Sequence, residues 1–345
     1  MWRSFWRLAV LLGLLGMAAG CGGGESGPRG TGGGGTGNVG GGPGVDPTDR
    51  PSLRTVAYLP TYHGGLSTWL RQLRFQNVSY IDLSFADIDA AGNVRFPDAA
   101  LPGFIETAHL AGAKVCVALG GATTIENGGV FATLLDDAHR PALIDNLVSF
   151  AQSNQLDCLD VDLEGNGVNS FYEAFVTELG ARLKADNREL TAAVADWFGK
   201  NITDKALLSF DFINVMAYDL YSDPSTPMQW SSIEAATAAV DKWVARGMPK
   251  DRVVYGVPFY GKQWPMAGKG EPATIAYAEL LRGNAAAATQ DQLQGNGTVT
   301  YLNSRATIQA KAQLAKSYGG IMVWEAGQDA AGDASLLQAI RDAVP

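Results

Sequence analysis

The sequence predicts an α/β protein in which residues 51–345 form a (β/α)8 barrel of the TIM type. Eight short runs rich in Val, Ile, Leu, Phe and Tyr alternate with longer stretches of helical period, which is typical of βαβ units in a parallel sheet. Eight strands in a block of roughly 295 residues fit a closed barrel. An open doubly wound sheet is the alternative. Its nucleotide-binding forms lose support, because no GxGxxG or GxxxxGK[ST] pattern follows a strand.

The predicted elements follow one another in a regular order. The eight strands are expected at residues 55–59, 78–85, 114–119, 156–163, 190–195, 211–217, 253–259 and 320–324. The clearest helices between them are expected at residues 141–154, 170–185, 231–246 and 305–318. Residues 261–298 contain Gly, Ala and Gln runs and one short helical pattern, so we expect a loop-rich insertion between the seventh and eighth strands, on one side of the barrel mouth.

The first 50 residues are predicted to lie outside the barrel. Residues 1–20 combine two arginines, a short apolar run and small residues, which is typical of a secretory signal and too short for a comfortable membrane span. Cys21 directly follows the small residues and resembles the cysteine of a bacterial lipoprotein box, although Ala18 stands where Leu is usual. Ordinary signal cleavage is the alternative.

Residues 21–50 are mostly glycine and predict a flexible tether; a leader without a role is the alternative. We therefore expect an exported protein, lipid-anchored through Cys21 at the bacterial cell envelope or surface, or otherwise secreted. Contact with a membrane is expected only through this anchor.

Composition narrows the classes of partner. A net charge of -9 and a pI near 4.9 argue against binding to nucleic acid or to an anionic membrane, because no basic field attracts phosphates. The three histidines lie far apart and there are only three cysteines, so the sequence predicts no metal site and no cofactor. A neutral or weakly charged substrate and a monomeric protein are expected.

The segment 157–164, DCLDVDLE, contains the most informative pattern. Asp160, Asp162 and Glu164 are two residues apart, so on a strand they point to one face, the barrel interior. The residues between them are apolar and face the helices: Leu159, Val161 and Leu163. Buried acids cost stability, and close carboxylates do not all ionise, so one stays protonated near neutral pH.

Glu164 lies at the carboxyl end of the strand, where barrel enzymes carry their chemistry, and is a candidate general acid toward a leaving oxygen. A solvated edge strand or a calcium site is the alternative, but calcium usually takes its ligands from a loop.

The pattern DxxDxDxE on the fourth strand resembles the signature of glycoside hydrolase family 18, which contains chitinases, endo-β-N-acetylglucosaminidases and inactive chitinase-like lectins. Four further strand motifs resemble that family in the expected order, and with them the likeness covers residues 54–345: KVCVALGG at 114–121, NVMAYD at 214–219, GVPFYG at 256–261 and GGIMVWE at 319–325. Tyr58 and Phe85 match aromatic positions of the first two strands.

The resemblance implies a substrate-assisted, retaining mechanism in which the 2-acetamido oxygen of the sugar attacks the anomeric carbon, an exception to the two-carboxylate scheme. Glu164 would protonate the glycosidic oxygen and later activate water. Asp162 would orient the acetamido N–H and stabilise the positive oxazolinium-like intermediate, while Asp160 would share a proton or hydrogen bond with Asp162. Tyr218 would donate its hydroxyl to the acetamido oxygen.

The same resemblance implies a set of substrate-binding residues. Asp219 would bind sugar hydroxyls or support the site, and Trp324 would form an apolar floor under the reacting sugar. Tyr58, Phe85 and Met216 complete this set, with packing in the core as the alternative for each. Trp197 and Trp264 lie near strand ends and are further candidates for stacking on a glycan.

Several positions qualify the resemblance. Ala118 stands where the family usually has a serine able to hydrogen-bond near Asp160, so we expect weaker tuning of that carboxylate. Asp157 has the opposite parity and is expected to pair locally. Cys116 and Cys158 share inward parity on adjacent strands, as two buried thiols or, in an exported protein, a disulfide.

The sequence thus predicts hydrolysis of β-1,4 bonds in N-acetylglucosamine-containing glycans such as chitin or chitooligosaccharides. Cleavage of N-glycans by an endo-β-N-acetylglucosaminidase and a non-catalytic glycan-binding protein on the same barrel are the alternatives. Inactive relatives commonly lose the acid at the position of Glu164, which is present here.

Overall fold

The computed structural model describes residues 52–345 except 221, 222, 224 and 267–269. The strands in this part of the chain are β1 (Thr55–Pro60), β2 (Tyr80–Ser84), β3 (Asp87–Ile88), β4 (Val94–Arg95), β5 (Lys114–Gly121), β6 (Cys158–Leu163), β7 (Glu189–Val194), β8 (Phe212–Val215), β9 (Val253–Pro258), β10 (Tyr260–Pro265), β11 (Ala273–Ala276), β12 (Gln292–Gly295), β13 (Thr298–Tyr301) and β14 (Gly320–Trp324). The α-helices are α1 (Leu66–Gln72), α2 (Leu101–Leu110), α3 (Phe131–Leu134), α4 (Arg140–Ser153), α5 (Tyr172–Ala185), α6 (Asp196–Gly199), α7 (Asp204–Leu207), α8 (Ile233–Ala245), α9 (Tyr277–Gly283), α10 (Arg305–Ala315) and α11 (Leu336–Ala343).

Eight parallel strands close into a barrel in the order β1-β14-β9-β8-β7-β6-β5-β2. Each strand pairs with the strand that precedes or follows it in this ring, and β1 joins β14 through the registers Thr55↔Ile321 and Ala57↔Val323. The prediction of a (β/α)8 barrel is confirmed, and all eight predicted strands coincide with barrel strands. Parallel strands in a closed ring place all their carboxyl ends, and so the predicted site residues, at one mouth.

The alternation of side chains along the strands separates two apolar clusters. Residues of one parity, including Leu159, Val161 and Leu163, pack with the helices in the outer cluster. Residues of the other parity, including Val56, Cys116 and Cys158, form the inner cluster. This division is the period-2 pattern expected of strands and confirms that the acids of β6 point into the barrel.

The insertion between β9 and β14 is more regular than the loop-rich segment expected from its composition. β10 to β13 form an antiparallel sheet in the order β11-β10-β13-β12, and α9 follows β11. Tyr301 on β13 pairs with Lys262 on one side and Gln292 on the other. β10 begins directly after the end of the barrel strand β9, so Lys262 on β10 lies at the barrel mouth.

The predicted signal segment 1–20, the tether 21–50 and the anchor Cys21 lie outside the described residues. Within the part of the chain that is described, none of the helices combines the length and the apolar character needed to cross a bilayer.

Candidate active site

The three acids of β6 form a column that opens toward the barrel mouth. Asp160 has no exposed surface, whereas Asp162 is 4 % and Glu164 is 8 % exposed. Glu164 directly follows the last residue of β6, Leu163. A ligand entering from the mouth therefore meets Glu164 first and Asp160 last.

The end of β5 lies unusually close to this column. A Cβ atom on Gly120, which has a φ of +103°, would lie 2.7 Å from the carbonyl oxygen of Asp162. A Cβ atom on Gly121 would lie 2.6 Å from the Phe85 ring. Glycine tolerates both the positive φ and the close approach, so Gly120 packs against the backbone of Asp162 and Gly121 packs against the Phe85 ring.

The backbone of Glu164 is fixed by the loop after β5. The Glu164 N–H donates to Thr124 Oγ1 at 2.8 Å, and the Thr124 hydroxyl lies 2.8 Å from the carbonyl oxygen of Gly121. Thr124 is buried, so water competes little for these bonds. The backbone of the acid at the mouth is therefore held by the loop after β5 as well as by its own strand.

Asp160 accepts two short hydrogen bonds at the base of the column. The Tyr58 hydroxyl donates to Asp160 Oδ2 at 2.7 Å, and the Thr191 hydroxyl donates to Asp160 Oδ1 at 2.6 Å. The Asn214 amide donates to the Tyr58 oxygen at 3.1 Å. Burial raises the pKa of Asp160 to about 6, and the hydrogen bonds from Thr191, Tyr58 and Asn214 oppose this rise.

Ala118 has no hydroxyl to donate to Asp160, and its absence was expected to weaken the tuning of the Asp160 pKa. Thr191 supplies this hydroxyl instead. Ala118 and Thr191 both pair in register with Asp160, one on each side of β6. A hydroxyl from either neighbouring strand reaches the same carboxylate. The tuning is thus supplied by β7 instead of β5.

Burial also keeps protons on the upper acids. It raises the pKa of Glu164 to about 8, and the negative charge of Asp219 adds to this rise. The pKa of Asp162 is raised well above its usual range by burial first and then by the charges of Glu164, Asp160 and Asp82. Glu164 is therefore a protonated acid at neutral pH, the state required of a general acid.

Asp219 lies beside Glu164 and faces a cation. Lys262 Nζ lies 3.4 Å from Asp219 Oδ1 and donates to Thr274 Oγ1 at 3.0 Å. It also lies 5.2 Å from the Tyr260 ring centroid, and the Tyr260 and Trp230 rings are stacked at 4.9 Å. A lysine held in this way partly neutralises Asp219 at the edge of the site.

Aromatic side chains line the site above the barrel core. The Trp324 ring is half-buried, and its centroid lies 5.5 Å from that of Tyr58 and 6.4 Å from that of Phe85. Tyr218 is buried and directs its hydroxyl to the Met322 sulfur at 4.0 Å. Trp324 and Phe85 thus present ring surface near the acids.

The remaining aromatic and apolar candidates divide by exposure. Tyr58 has no exposed surface and its hydroxyl is bonded to Asp160, so it lies beneath the acids as their support and not in position to stack on a sugar. Trp264 is fully buried, whereas Trp197 is 42 % exposed. Met216 is half-buried and packs against both apolar clusters.

Two further expectations concern the base of β6. Cys116 and Cys158 pair in register and are joined in a disulfide with a Cα–Cα distance of 4.5 Å, so the expectation of two buried thiols is wrong. Asp157 pairs locally, with His109 Nε2 and the Val115 N–H each 2.8 Å from its Oδ2 atom.

Sequence reasoning missed a fourth inward acid, Asp82 on β2. It has no exposed surface, and neither of its carboxylate oxygens has a hydrogen-bond partner among the described residues. Burial and the charge of Asp160 raise its pKa well above the usual range. The signal was present, because Tyr80, Asp82 and Ser84 share one parity on a predicted strand.

Comparison with known proteins agrees with this geometry. The model of the family described as glycosyl hydrolases family 18 matches residues 54–329. A family 18 chitinase from the chitin utilization locus of Flavobacterium johnsoniae is 31% identical, with a TM-score of 0.75 over 85% of this chain and 94% of that one. Human YKL-39, described as a pseudo-chitinase with retained chitooligosaccharide binding properties, has the same fold at 20% identity, with a TM-score of 0.70 over 85% of this chain and 99% of that one.

A curated relative is a chitinase-like effector of Moniliophthora roreri, 27% identical over 241 residues, which are 59% of this chain. This match spans 57% of the relative's own length.

Proposed function

The chain belongs to glycosyl hydrolase family 18, and we propose that it hydrolyses β-1,4 bonds in N-acetylglucosamine-containing glycans, chitin or chitooligosaccharides, with retention of configuration. The observation that carries the proposal is Glu164, an acid with a pKa of about 8 at the barrel mouth. An acid in this state has a proton to give to a glycosidic oxygen at neutral pH. The chitinase of Flavobacterium johnsoniae, at 31% identity, supports the choice of glycan.

In the proposed reaction, Glu164 protonates the leaving oxygen while the acetamido oxygen of the same sugar attacks the anomeric carbon. The glycosidic C–O bond breaks and a C–O bond to the acetamido group forms. Asp162 Oδ1 has no hydrogen-bond partner among the residues described, so it is available to accept the acetamido N–H and to stabilise the positive charge. Glu164, now ionised, then removes a proton from the water that opens the intermediate.

Three other groups support these steps. The Tyr218 hydroxyl, which is directed to a weak sulfur acceptor, is free to turn to the acetamido oxygen. Trp324 offers a half-buried ring as a floor for the sugar. The charge of Asp219 adds to the rise in the Glu164 pKa that burial causes, and Asp219 would bind sugar hydroxyls.

The test is product analysis with two substrates, chitooligosaccharides and a high-mannose glycoprotein. We expect the wild type to cleave chitooligosaccharides and Glu164→Gln to lose about 10²–10⁴-fold in kcat, the range attributed to general acid–base catalysis. Glu106→Gln, on the exposed face of α2, is the control and keeps full activity. A wild type that cleaves neither substrate but binds chitooligosaccharides would instead be a glycan-binding protein, and cleavage of the glycoprotein alone would reassign the substrate.

We also propose that the protein is exported and anchored through a lipid on Cys21. The support is the sequence of residues 1–50, with a basic start, a short apolar run, small residues and a glycine-rich tether. Metabolic labelling with palmitate in a bacterial host tests this. Label is expected in the wild type and not in Cys21→Ser, and an unlabelled wild type that appears in the medium indicates ordinary secretion.

A further inference from the structure

We propose that Asp82 is a proton-holding residue, which keeps a neutral carboxyl group beneath Asp160 and so adds no negative charge to the acids of β6. Its effect on catalysis rests on the proposed hydrolysis, whereas the stored proton does not. The proposal begins from geometry. Asp82 pairs in register with Tyr58 on one side and Cys116 on the other, and Cys116 pairs with Cys158.

The layer around Asp82 does not stabilise a negative charge. Its neighbours are the Tyr58 ring and the Cys116–Cys158 disulfide, and the Tyr58 hydroxyl is already donated to Asp160. The carboxyl group has no exposed surface and no hydrogen-bond partner among the described residues. An ionised carboxylate with no exposed surface and no donor from the surrounding side chains is disfavoured, whereas the neutral acid is tolerated.

The titratable groups that face Asp82 do not compensate. From β1 it faces the Tyr58 phenol, and from β6 it faces Asp160 and Asp162, which are all neutral or negative. β5 contributes the disulfide sulfur of Cys116 and the methyl group of Ala118, neither of which titrates. No group of three or more His, Cys, Asp or Glu side chains in the described chain is arranged to hold a metal ion. These surroundings therefore favour the protonated form of the Asp82 carboxyl group.

A neutral Asp82 matters for the acids above it. Burial and then the charges of Glu164 and Asp160 already raise the pKa of Asp162; an ionised Asp82 would add to this rise, and a neutral Asp82 does not. With Asp160 ionised between its Tyr58 and Thr191 donors, Asp82 stays protonated, because a second buried charge beside Asp160 is opposed by repulsion.

The first experiment measures the stored proton without any substrate. Urea unfolding of wild type and Asp82→Asn is followed from pH 4 to 8. The folded-state pKa of Asp82 lies above its unfolded value of 3.8, so the folded wild type keeps a proton that the unfolded chain releases. The wild type should therefore lose stability relative to the variant as pH rises, by about tenfold in the unfolding constant per pH unit, until the folded-state pKa is reached.

The control is Asp87→Asn, which changes the partly exposed aspartate that begins β3 and pairs with Arg95. Its stability difference from wild type should stay flat over the same pH range. If Asp82→Asn also gives a flat difference, Asp82 is ionised in the folded protein and the proposal is overturned. Should Asp82→Asn not fold, infrared spectra of Asp162→Asn labelled with ¹³C-aspartate decide the matter, because this variant lacks the other β-strand aspartate whose pKa is raised well above its usual range: a protonated aspartate carboxyl band at pH 7 is expected, and its absence overturns the proposal.

The second experiment concerns the charge beneath the acids of β6. In Asp82→Asn a neutral amide replaces a neutral acid, so both limbs of kcat/KM against pH should stay near their wild-type positions. A move of the acidic limb down by about one unit, the size of coupling that defines interacting sites, would show that Asp82 is charged in the wild type and would overturn the proposal. If the wild type cleaves no glycan, the proposed hydrolysis fails while the unfolding experiment still decides whether Asp82 stores a proton.

Discussion

The hydroxyl of Thr191 offers a direct test of how the base of the acid column is tuned. Thr191→Val keeps the size and branching of the side chain and removes the 2.6 Å hydrogen bond to Asp160 Oδ1. Hydrogen bonds to charged groups contribute about 1.5–3 kcal/mol. Since one pKa unit corresponds to about 1.36 kcal/mol, the loss should raise the pKa of Asp160 by about 1–2 units.

The pKa of Asp160 is about 6 in the folded wild type, above the ordinary value of 3.8, and this sets the direction in which stability changes with pH. The wild type already loses stability as pH rises from about 4 to 6, because the folded state keeps a proton that the unfolded state releases. With the pKa raised further, the variant continues to lose stability above pH 6. The gap between the two proteins should therefore be small at pH 4 and reach about 1.5–3 kcal/mol near pH 8.

The assay is urea unfolding at pH 4 and pH 8 together with kcat/KM against pH on a chitooligosaccharide. The acidic limb of the activity profile should move up by about the same 1–2 units. Thr237→Val is the control, because its hydroxyl lies 3.2 Å from that of Tyr255, a neutral partner outside the barrel interior. That variant should lose about 0.5–1.5 kcal/mol at both pH values. An equal loss at both values for Thr191→Val would refute the assignment of an ionised Asp160 as the acceptor.

Three further outcomes are expected. Ala118→Ser introduces a hydroxyl on the opposite side of β6. When it is combined with Thr191→Val, the acidic limb of kcat/KM against pH should move back to lower pH. A double-mutant cycle in kcat/KM measures this. Asp219→Asn removes a charge that, together with burial, raises the pKa of Glu164 from 4.5 to about 8. The alkaline limb of kcat/KM against pH should therefore move to lower pH. An unmoved limb would contradict this coupling. The Cys116–Cys158 disulfide spans 42 residues, so replacing both cysteines by Ala should lower the free energy of unfolding by about 4 kcal/mol. When wild type and variant are both unfolded in the presence of a reductant, their free energies of unfolding should be the same.

Much of the fold followed from the sequence because strand and helix periods differ clearly. The alternation of apolar and polar residues along the chain is a local pattern, and it was enough to predict the eight barrel strands. The same alternation predicted that Asp160, Asp162 and Glu164 face the interior. The antiparallel sheet of the insertion was not predicted. Its strands are four to six residues long and pair across the insertion, so their pairing is decided by long-range contacts.

The site was harder to predict wherever a residue acts through a contact between strands. Thr191 and Asn214 lie on β7 and β8, and their roles depend on reaching Asp160 and Tyr58 across the interior. Tyr58 matched an aromatic position of the family, yet the sequence did not show that its ring lies below the acids and that its hydroxyl supports one of them. Parity places a side chain inside a barrel, but the layer at which it lies comes from the register.

The charge of the column bears on the choice between an enzyme and a glycan-binding protein. Four inward acids, Asp82, Asp160, Asp162 and Glu164, are buried and their pKa values are raised. A neutral sugar gains little from such a column, because hydrogen bonds to neutral groups require no buried charge and no proton held at a pKa near 8. A reacting sugar gains much more, since it takes a proton at its leaving oxygen and develops positive charge at the anomeric carbon. Buried acids that destabilise the free protein are therefore expected where the bound group becomes positive during reaction, and this supports the proposed hydrolysis over the alternative of binding alone.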